Sequence, residues 1–372
     1  MSLVIDIHAL QTLPPSLINR DDTGAPKSAV FGGVPRQRVS SQSWKRAIRL
    51  DFEKHLPAGS VGFRTRKVVE IVAEKIHSLD ESIEMADAIK LAESVFKAAG
   101  IKITEKKIKK GDEVVAGAPE AGYLVFLSPR QIEAAAKLAI EGEGKPDKKK
   151  AKEAIDTKHS IDIAMFGRML ADDPSYNVDA SVQVAHALGI HESEPEFDYF
   201  TAVDDFVEDN EETGAGMIGT VQMMSSTLYR FATIDVESLG ENLGDHPAAR
   251  EAAVAFIKSF ITSLPTGKQN TFANNTLPEL VYVAIRDGRS VSLVNAFEEP
   301  VSSDQEAGRR AEGAKKLATE ERQIEETYGF VPLKAFVMSL GELGAPFADL
   351  AEAVTLDELS ASVAAFLEER SK

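Results

Sequence analysis

Cysteine is absent from the 372 residues, which excludes a disulfide framework, a thiolate zinc site and a cysteine nucleophile. No uninterrupted apolar run approaches the roughly 18 residues that a membrane span requires. Leu3 to Leu10 already alternates like a strand, leaving no room for a basic segment followed by an apolar signal core. A cytoplasmic protein is the expectation. The seven histidines lack metal-ligand spacing: His186 and His191, five apart, do not share a helix face. His8, late in the first strand, reads as a satisfied structural histidine. Neither a metal nor a cofactor is expected, and there are no internal repeats or coiled-coil heptads.

Positive charge is also scarce, with 42 Lys and Arg against 59 Asp and Glu and a net charge of −17. Read as one number, that repels nucleic acid, whose binding is driven by cations displacing counterions. The distribution says otherwise. Thr23 to Leu50 holds six basic residues (Lys27, Arg36, Arg38, Lys45, Arg46, Arg49) and no acid, where the overall composition would put about four. Lysine clusters follow at Lys102–Lys110 and Lys145–Lys152, and acid concentrates at Asp204–Glu212.

Leu3–Leu10 reads as a strand, and residues 11–39 as a long loop broken by Pro14-Pro15, Gly24, Gly32-Gly33 and Pro35. A helix is expected from Ser40/Ser41 to about Lys54. Helical signal dominates from Arg64 to Lys158. Ser160–Met169 returns to strand-like alternation, and Thr220–Val236 is the strongest strand signal. Pro247–Ser263 reads as a helix, Leu280–Arg286 with Val291–Ala296 as a strand pair, Ser303–Tyr328 as a helix, Val331–Leu340 as a strand and Leu356–Arg370 as a closing helix. Strands interrupted by helices, with a helical block inserted early, predict an α+β domain carrying a subdomain.

The informative element is the helix after Ser40. At 3.6 residues per turn Gln42, Lys45, Arg46 and Arg49 share one face, while Trp44, Ala47 and Ile48 point to a core. Three cations and an amide near a helix start suit a phosphodiester chain. A solvated charged face is the competing explanation, and the missing carboxylates weigh against it. Arg20, Lys27, Arg36 and Arg38 come from the adjoining loop, where Gly32-Gly33 lets backbone approach a ligand closely.

These residues carry a resemblance. Leu17-Ile18-Asn19-Arg20-Asp21-Asp22, Phe31-Gly32-Gly33, Arg36-Gln37-Arg38-Val39-Ser40-Ser41-Gln42-Ser43 and Lys45-Arg46-Ala47 resemble the N-terminus of CasC-type backbone subunits of Cascade, the type I-E CRISPR surveillance complex, in the RAMP superfamily. Asp162-Ile163-Ala164, Gly167-Arg168-Met169, Ala185-His186-Ala187, Phe200-Thr201-Ala202-Val203-Asp204-Asp205, Leu228-Tyr229-Arg230-Phe231-Ala232, Glu241-Asn242-Leu243-Gly244, Lys268-Gln269-Asn270-Thr271 and Asn295-Ala296-Phe297-Glu298 continue it in order.

The resemblance implies a right-hand shape: an RNA-recognition-like (ferredoxin-like) antiparallel palm sheet, a helical finger domain and a β-hairpin thumb. It divides the chain into palm (1–60), finger (61–158), palm strand and helix (159–190), thumb (191–220) and remaining palm (221–372). It further implies a non-catalytic subunit that assembles head to tail along CRISPR RNA beside other Cascade subunits. Such a subunit displaces bases at intervals and leaves the spacer free to pair with target DNA in antiviral defence. Carried over by position, Arg20, Lys27, Ser40, Gln42, Lys45, Arg46 and Arg49 would grip guide phosphates. Arg168 and Met169 would flank the displaced nucleotide, and Tyr199, Phe200 and Thr201 would occupy the intercalating position. Lys148, Lys149, Lys150 and Lys152 would lean on target DNA.

Four competing readings are weaker. Gly214-Ala215-Gly216-Met217-Ile218-Gly219 matches G-x-G-x-x-G, but acids precede it and a strand follows, so it reads as a glycine hinge. Gly267-Lys268 lacks the earlier glycine and following Ser/Thr of a P-loop. Asp21-Asp22 is the one catalytic alternative, since carboxylates can hold a metal that cleaves RNA. A generic RNA chaperone would show aromatic strands, and Leu3–Leu10 has none.

Overall fold

The computed structural model describes residues 2–110, 113–170, 173–202, 217–302 and 308–370. The chain gathers into two compact units, one of Met1–Asp51, Val184–Ile234 and Phe256–Lys372, the other of Phe52–Gln183 and Asp235–Ala255.

The first unit is built on a large, mostly antiparallel sheet. Its central strand β1 (Leu3–Ser16) pairs in antiparallel register with Leu280–Asp287, Leu3 opposite Asp287 and Leu10 opposite Leu280. That strand pairs with Lys334–Ser339, which carries the short parallel edge Glu352–Ala353. On the other side of β1 lies Met217–Asp235, followed by Ala187–Gly189, β3 (Val34–Val39) and β2 (Ser28–Phe31). β1 thus runs well past Leu10. Prolines 14 and 15 are tolerated because its end no longer needs every backbone donor, and the Thr12 amide is satisfied by the Glu279 carboxylate. The expected long loop is largely strand, and Gly32-Gly33 forms the β2–β3 turn with φ of 59° and 81°.

The polar residues of β1 are buried rather than exposed, because both faces of the sheet are covered. Asp6 accepts from the Arg286 guanidinium (3.1 Å) and the Val291 amide (2.8 Å), while Arg286 also grips Glu321 through two bonds of 2.6 and 2.8 Å. His8 Nδ1 meets the Tyr229 hydroxyl at 2.9 Å, and that hydroxyl accepts from the Leu293 amide. These side chains take the backbone donors that a strand at Val291–Ala296 would have used, and the segment is a short 3₁₀ turn at Val294–Phe297. Around them Leu10, Tyr229, Tyr282, Phe297, Leu317 and Phe347 form one apolar cluster.

Helix α1 (Ser41–His55) follows β3, as its pattern requires. Its inner residue Trp44 is 1% exposed and joins Leu13, Ile18, Val39, Ala187 and Leu228 in a second cluster. The Arg230 guanidinium lies 3.7 Å from the Trp44 ring centre and 4.3 Å from that of Phe260. It donates to Gln11 (2.6 Å) and to the Phe260 carbonyl. Burial lowers its pKa to about 9, leaving it cationic at neutral pH. Two aromatic faces replace the missing carboxylate.

The second unit holds the helices Val68–Leu79, Met85–Ala98, Pro129–Glu141 and Lys148–Asp156 around a core that includes Val72, Phe96, Ala136 and Tyr176. It also contains two small ribbons, Ile103–Lys110 with Glu113–Ala121 and Phe63–Thr65 with Val125–Leu127, within a segment expected to be mostly helical. Ser160–Met169 is a correction: Ile161–Phe166 is a short helix. Its alternation misleads because Asp162 is buried, bonded to Ser160 Oγ (2.6 Å) and the Gly62 amide (2.9 Å).

Burial makes the fold acid-sensitive. His8 sits well below its ordinary pKa through burial and the Arg286 charge, and burial lowers His159 to about 4. Unfolded histidines take up protons below about pH 6.5. The folded chain refuses them, so stability is lost as pH falls from 6.5 toward 4, by about 1.4 kcal/mol per pH unit for a fully excluded site. Asp6, raised by burial, offsets this in part at the acid end. We expect the melting temperature to fall between pH 7 and pH 5, and His8→Gln to lessen that fall. Equal melting temperatures at the two pH values would contradict it.

Candidate nucleic-acid interface

Beyond the end of β1, residues 17–27 form an ordered loop. Asp21 Oδ1 accepts from the Thr23 amide (2.9 Å), the Thr23 hydroxyl (2.7 Å) and the Ala25 amide (3.0 Å), which holds its carboxyl below the usual range. Asp21 therefore shapes the turn that carries Arg20. The Lys27 amide donates to the Asn19 carbonyl (3.1 Å), and Asn19 Oδ1 accepts from the Ser40 amide (2.9 Å), clamping loop to helix. Ser40 itself is only 5% exposed, and its carbonyl takes the first amides of α1.

On α1, Gln42 and Arg46 are exposed, while Lys45 and Arg49 are half-buried. Burial lowers the Lys45 pKa. His186 Nδ1 accepts from the Ser41 amide at 3.0 Å and lies 3.4 Å from the Arg38 guanidinium. Its pKa is lowered by partial burial and by the nearby charges of Arg38 and Lys27. The imidazole thus senses the positive field at the helix start.

Arg20 and Arg46 line one open groove of about 540 Å³ within the first unit, together with Ser43 and the turn Pro265–Lys268. Among the described residues its lining includes no carboxylate. Lys268 supplies a third cation, from a segment that the resemblance includes but to which it assigned no contact. Elsewhere the exposed lysines are commonly paired, as in Lys67–Glu70, Lys97–Glu93, Lys137–Glu133 and Lys334–Glu352.

Two of the cations singled out in the sequence are engaged inside the protein. Arg36 is fully buried and donates to the carbonyls of Gly189, Phe297 and Glu298, so it ties strands together. Arg168, 4% exposed, donates to the carbonyls of Tyr176 and Ile155 (both 2.9 Å) and pairs with Asp156 at 2.8 Å. Its guanidinium is consumed inside the second unit, whereas the neighbouring Met169 is 81% exposed. Lys148, Lys149 and Lys150 are exposed, but Lys152 is held by Asp173 at 2.9 Å and lies over the Tyr176 ring.

Glu196–Ala202 pairs antiparallel with Met217–Met223. The acidic stretch Asp204–Glu212 and the first glycines of G-x-G-x-x-G lie outside the described residues, as do the side chains of Lys106, Lys107, Lys109 and Lys110. Tyr199 and Phe197 alternate onto one face and are largely exposed. Phe200 lies opposite Gly219, and its ring occupies the space a Cβ there would need. Thr201 is exposed.

The first unit thus carries both a loop-and-helix groove with three cations and an antiparallel strand pair with exposed aromatics. The family profile of CT1975-like protein matches residues 5–362. The chain belongs to the CT1975-like family. None of the curated proteins matches it. Among solved structures this CT1975-like protein is similar to a chain of a CRISPR RNA-guided surveillance complex in a pre-nicking state. The identity is 33% and the TM-score 0.83, over 97% of this chain and 100% of that one. A second match, from a CRISPR RNA-guided surveillance complex, has 29% identity and a TM-score of 0.73, over 96% and 99% of the two chains. The similarity of this CT1975-like chain therefore extends beyond Glu298, where the sequence blocks end.

Proposed function

We propose that this chain is the repeated, non-catalytic backbone subunit of a CRISPR RNA-guided surveillance complex, of the CasC type of type I-E Cascade. The groove, without a carboxylate among its described lining residues, and the cluster Lys45, Arg46 and Arg49 on α1, in a chain of net charge −17, carry this reading. Arg20, Lys27, Gln42, Lys45, Arg46 and Arg49 hold the guide's sugar–phosphate strand, while Asn19 and Ser40 fix the loop against the helix. Copies stack head to tail in the cytoplasm, and the hairpin of one copy displaces a base with Tyr199, Phe200 and Thr201, beside Met169. The exposed Lys148–Lys150 lean on target DNA. Sequence choice then belongs to base pairing, and the protein reads only backbone.

The test is to purify the chain with its operon partners and sequence the accompanying RNA. Uniform short RNAs with a common handle are expected; a mixture of cellular RNAs, or none, overturns the reading. At the hairpin, Tyr199→Ala is expected to weaken binding of a single-stranded RNA by about 1–3 kcal/mol, the contribution of one stacked base, with the salt dependence unchanged. Unaltered affinity would remove Tyr199 from the contact.

A further inference from the structure

We infer that the groove between residues 17–20, α1 and the turn 265–268 seats one phosphodiester unit of the guide, with Lys268 as its third cation. This rests on the guide-holding reading and assigns a residue that reading does not use.

Three segments converge here and bring Arg20, Arg46 and Lys268 to one cavity with no acid among its described lining residues. Mutual repulsion opposes gathering three unpaired cations, and a bound phosphate relieves it. None of the three makes an ion pair among the described residues. The rest of the groove suits what adjoins a phosphate. Leu17, Leu50 and Pro265 offer apolar surface to a ribose, and Ser43 and Thr266 offer hydroxyls.

Lys268 is also held there by the backbone. Its φ of 49° and ψ of 28° lie in the left-handed region, which lysine rarely adopts. The preceding Gly267 makes this possible: a Cβ at that position would collide with the Ile18 carbonyl, so the turn packs directly on the chain beyond β1. A backbone strained at a cation that lines an open groove is a pattern of ligand clamps. About 540 Å³ is ample for a nucleotide's sugar and phosphate.

Lys268→Gly tests this, since glycine fits φ 49° and the variant removes the cation without threatening the fold. The full chain would be titrated with a single-stranded oligouridylate over a range of salt. The expected result is binding weaker by about fivefold to tenfold, with a log–log salt slope shallower by about 0.7. Lys268→Arg should keep the slope. Unchanged affinity and slope in Lys268→Gly overturn the inference. If Lys45, Arg46 and Arg49 reversed together still abolish binding in that case, the guide-holding reading survives it. If that triple variant also binds normally, both fail.

Discussion

Replacing Lys45, Arg46 and Arg49 together by glutamate strips guide RNA from the purified protein and leaves the monomer folded. The three share the outer face of α1, and the inner face is Trp44, Ala47 and Ile48, all buried and untouched by the change. Each phosphate contact on a single strand contributes about 0.7 to the salt slope, so losing three flattens it by about 2. Reversal goes further than removal, because three new carboxylates face the phosphates. Lys45 and Arg49 have protein partners of their own, so a modest fall in melting temperature is expected. The measurement is the ratio of absorbance at 260 and 280 nm after purification, with a thermal melt as control. A folded triple variant that retains its RNA would remove α1 from the interface.

The second large effect concerns stability. Arg286 joins Asp6 on β1, Glu321 on the long helix Gly308–Tyr328 and the Phe330 carbonyl. The two carboxylates are fully buried. Arg286→Leu leaves both without a cation, and breaking such a buried set typically costs about 3–5 kcal/mol. Denaturant unfolding should show that loss, and a companion Glu321→Gln should return part of it by removing one charge. A loss below about 1 kcal/mol would mean that water or rearrangement satisfies the carboxylates.

Much of this was legible beforehand, for reasons that can be named. α1 was visible because its polar start, its cationic face and its Trp44 face keep one period. The strand at Thr220–Val236 and the closing helix were visible for the same reason. The end of β1 was not, since Pro14-Pro15 signals a break unless the ladder has already ended. Burial is what composition hides: Arg36 and Arg168 count as cations in the sequence, yet their guanidiniums serve carbonyls and Asp156. Lys268 was missed because its partners in the groove lie more than two hundred residues away, and only the packing of Gly267 under Ile18 joins them. Local pattern finds elements; it does not find cavities shared by distant segments.

Arg230, clasped between Trp44 and Phe260, has a kinetic corollary. A helix whose orientation is locked from below has no ordering left to do when a strand arrives. On the proposed guide-holding role, association is expected at encounter-controlled speed, with a small heat-capacity change and no slow folding phase; successive nucleotides would meet a rail whose gauge was set in advance.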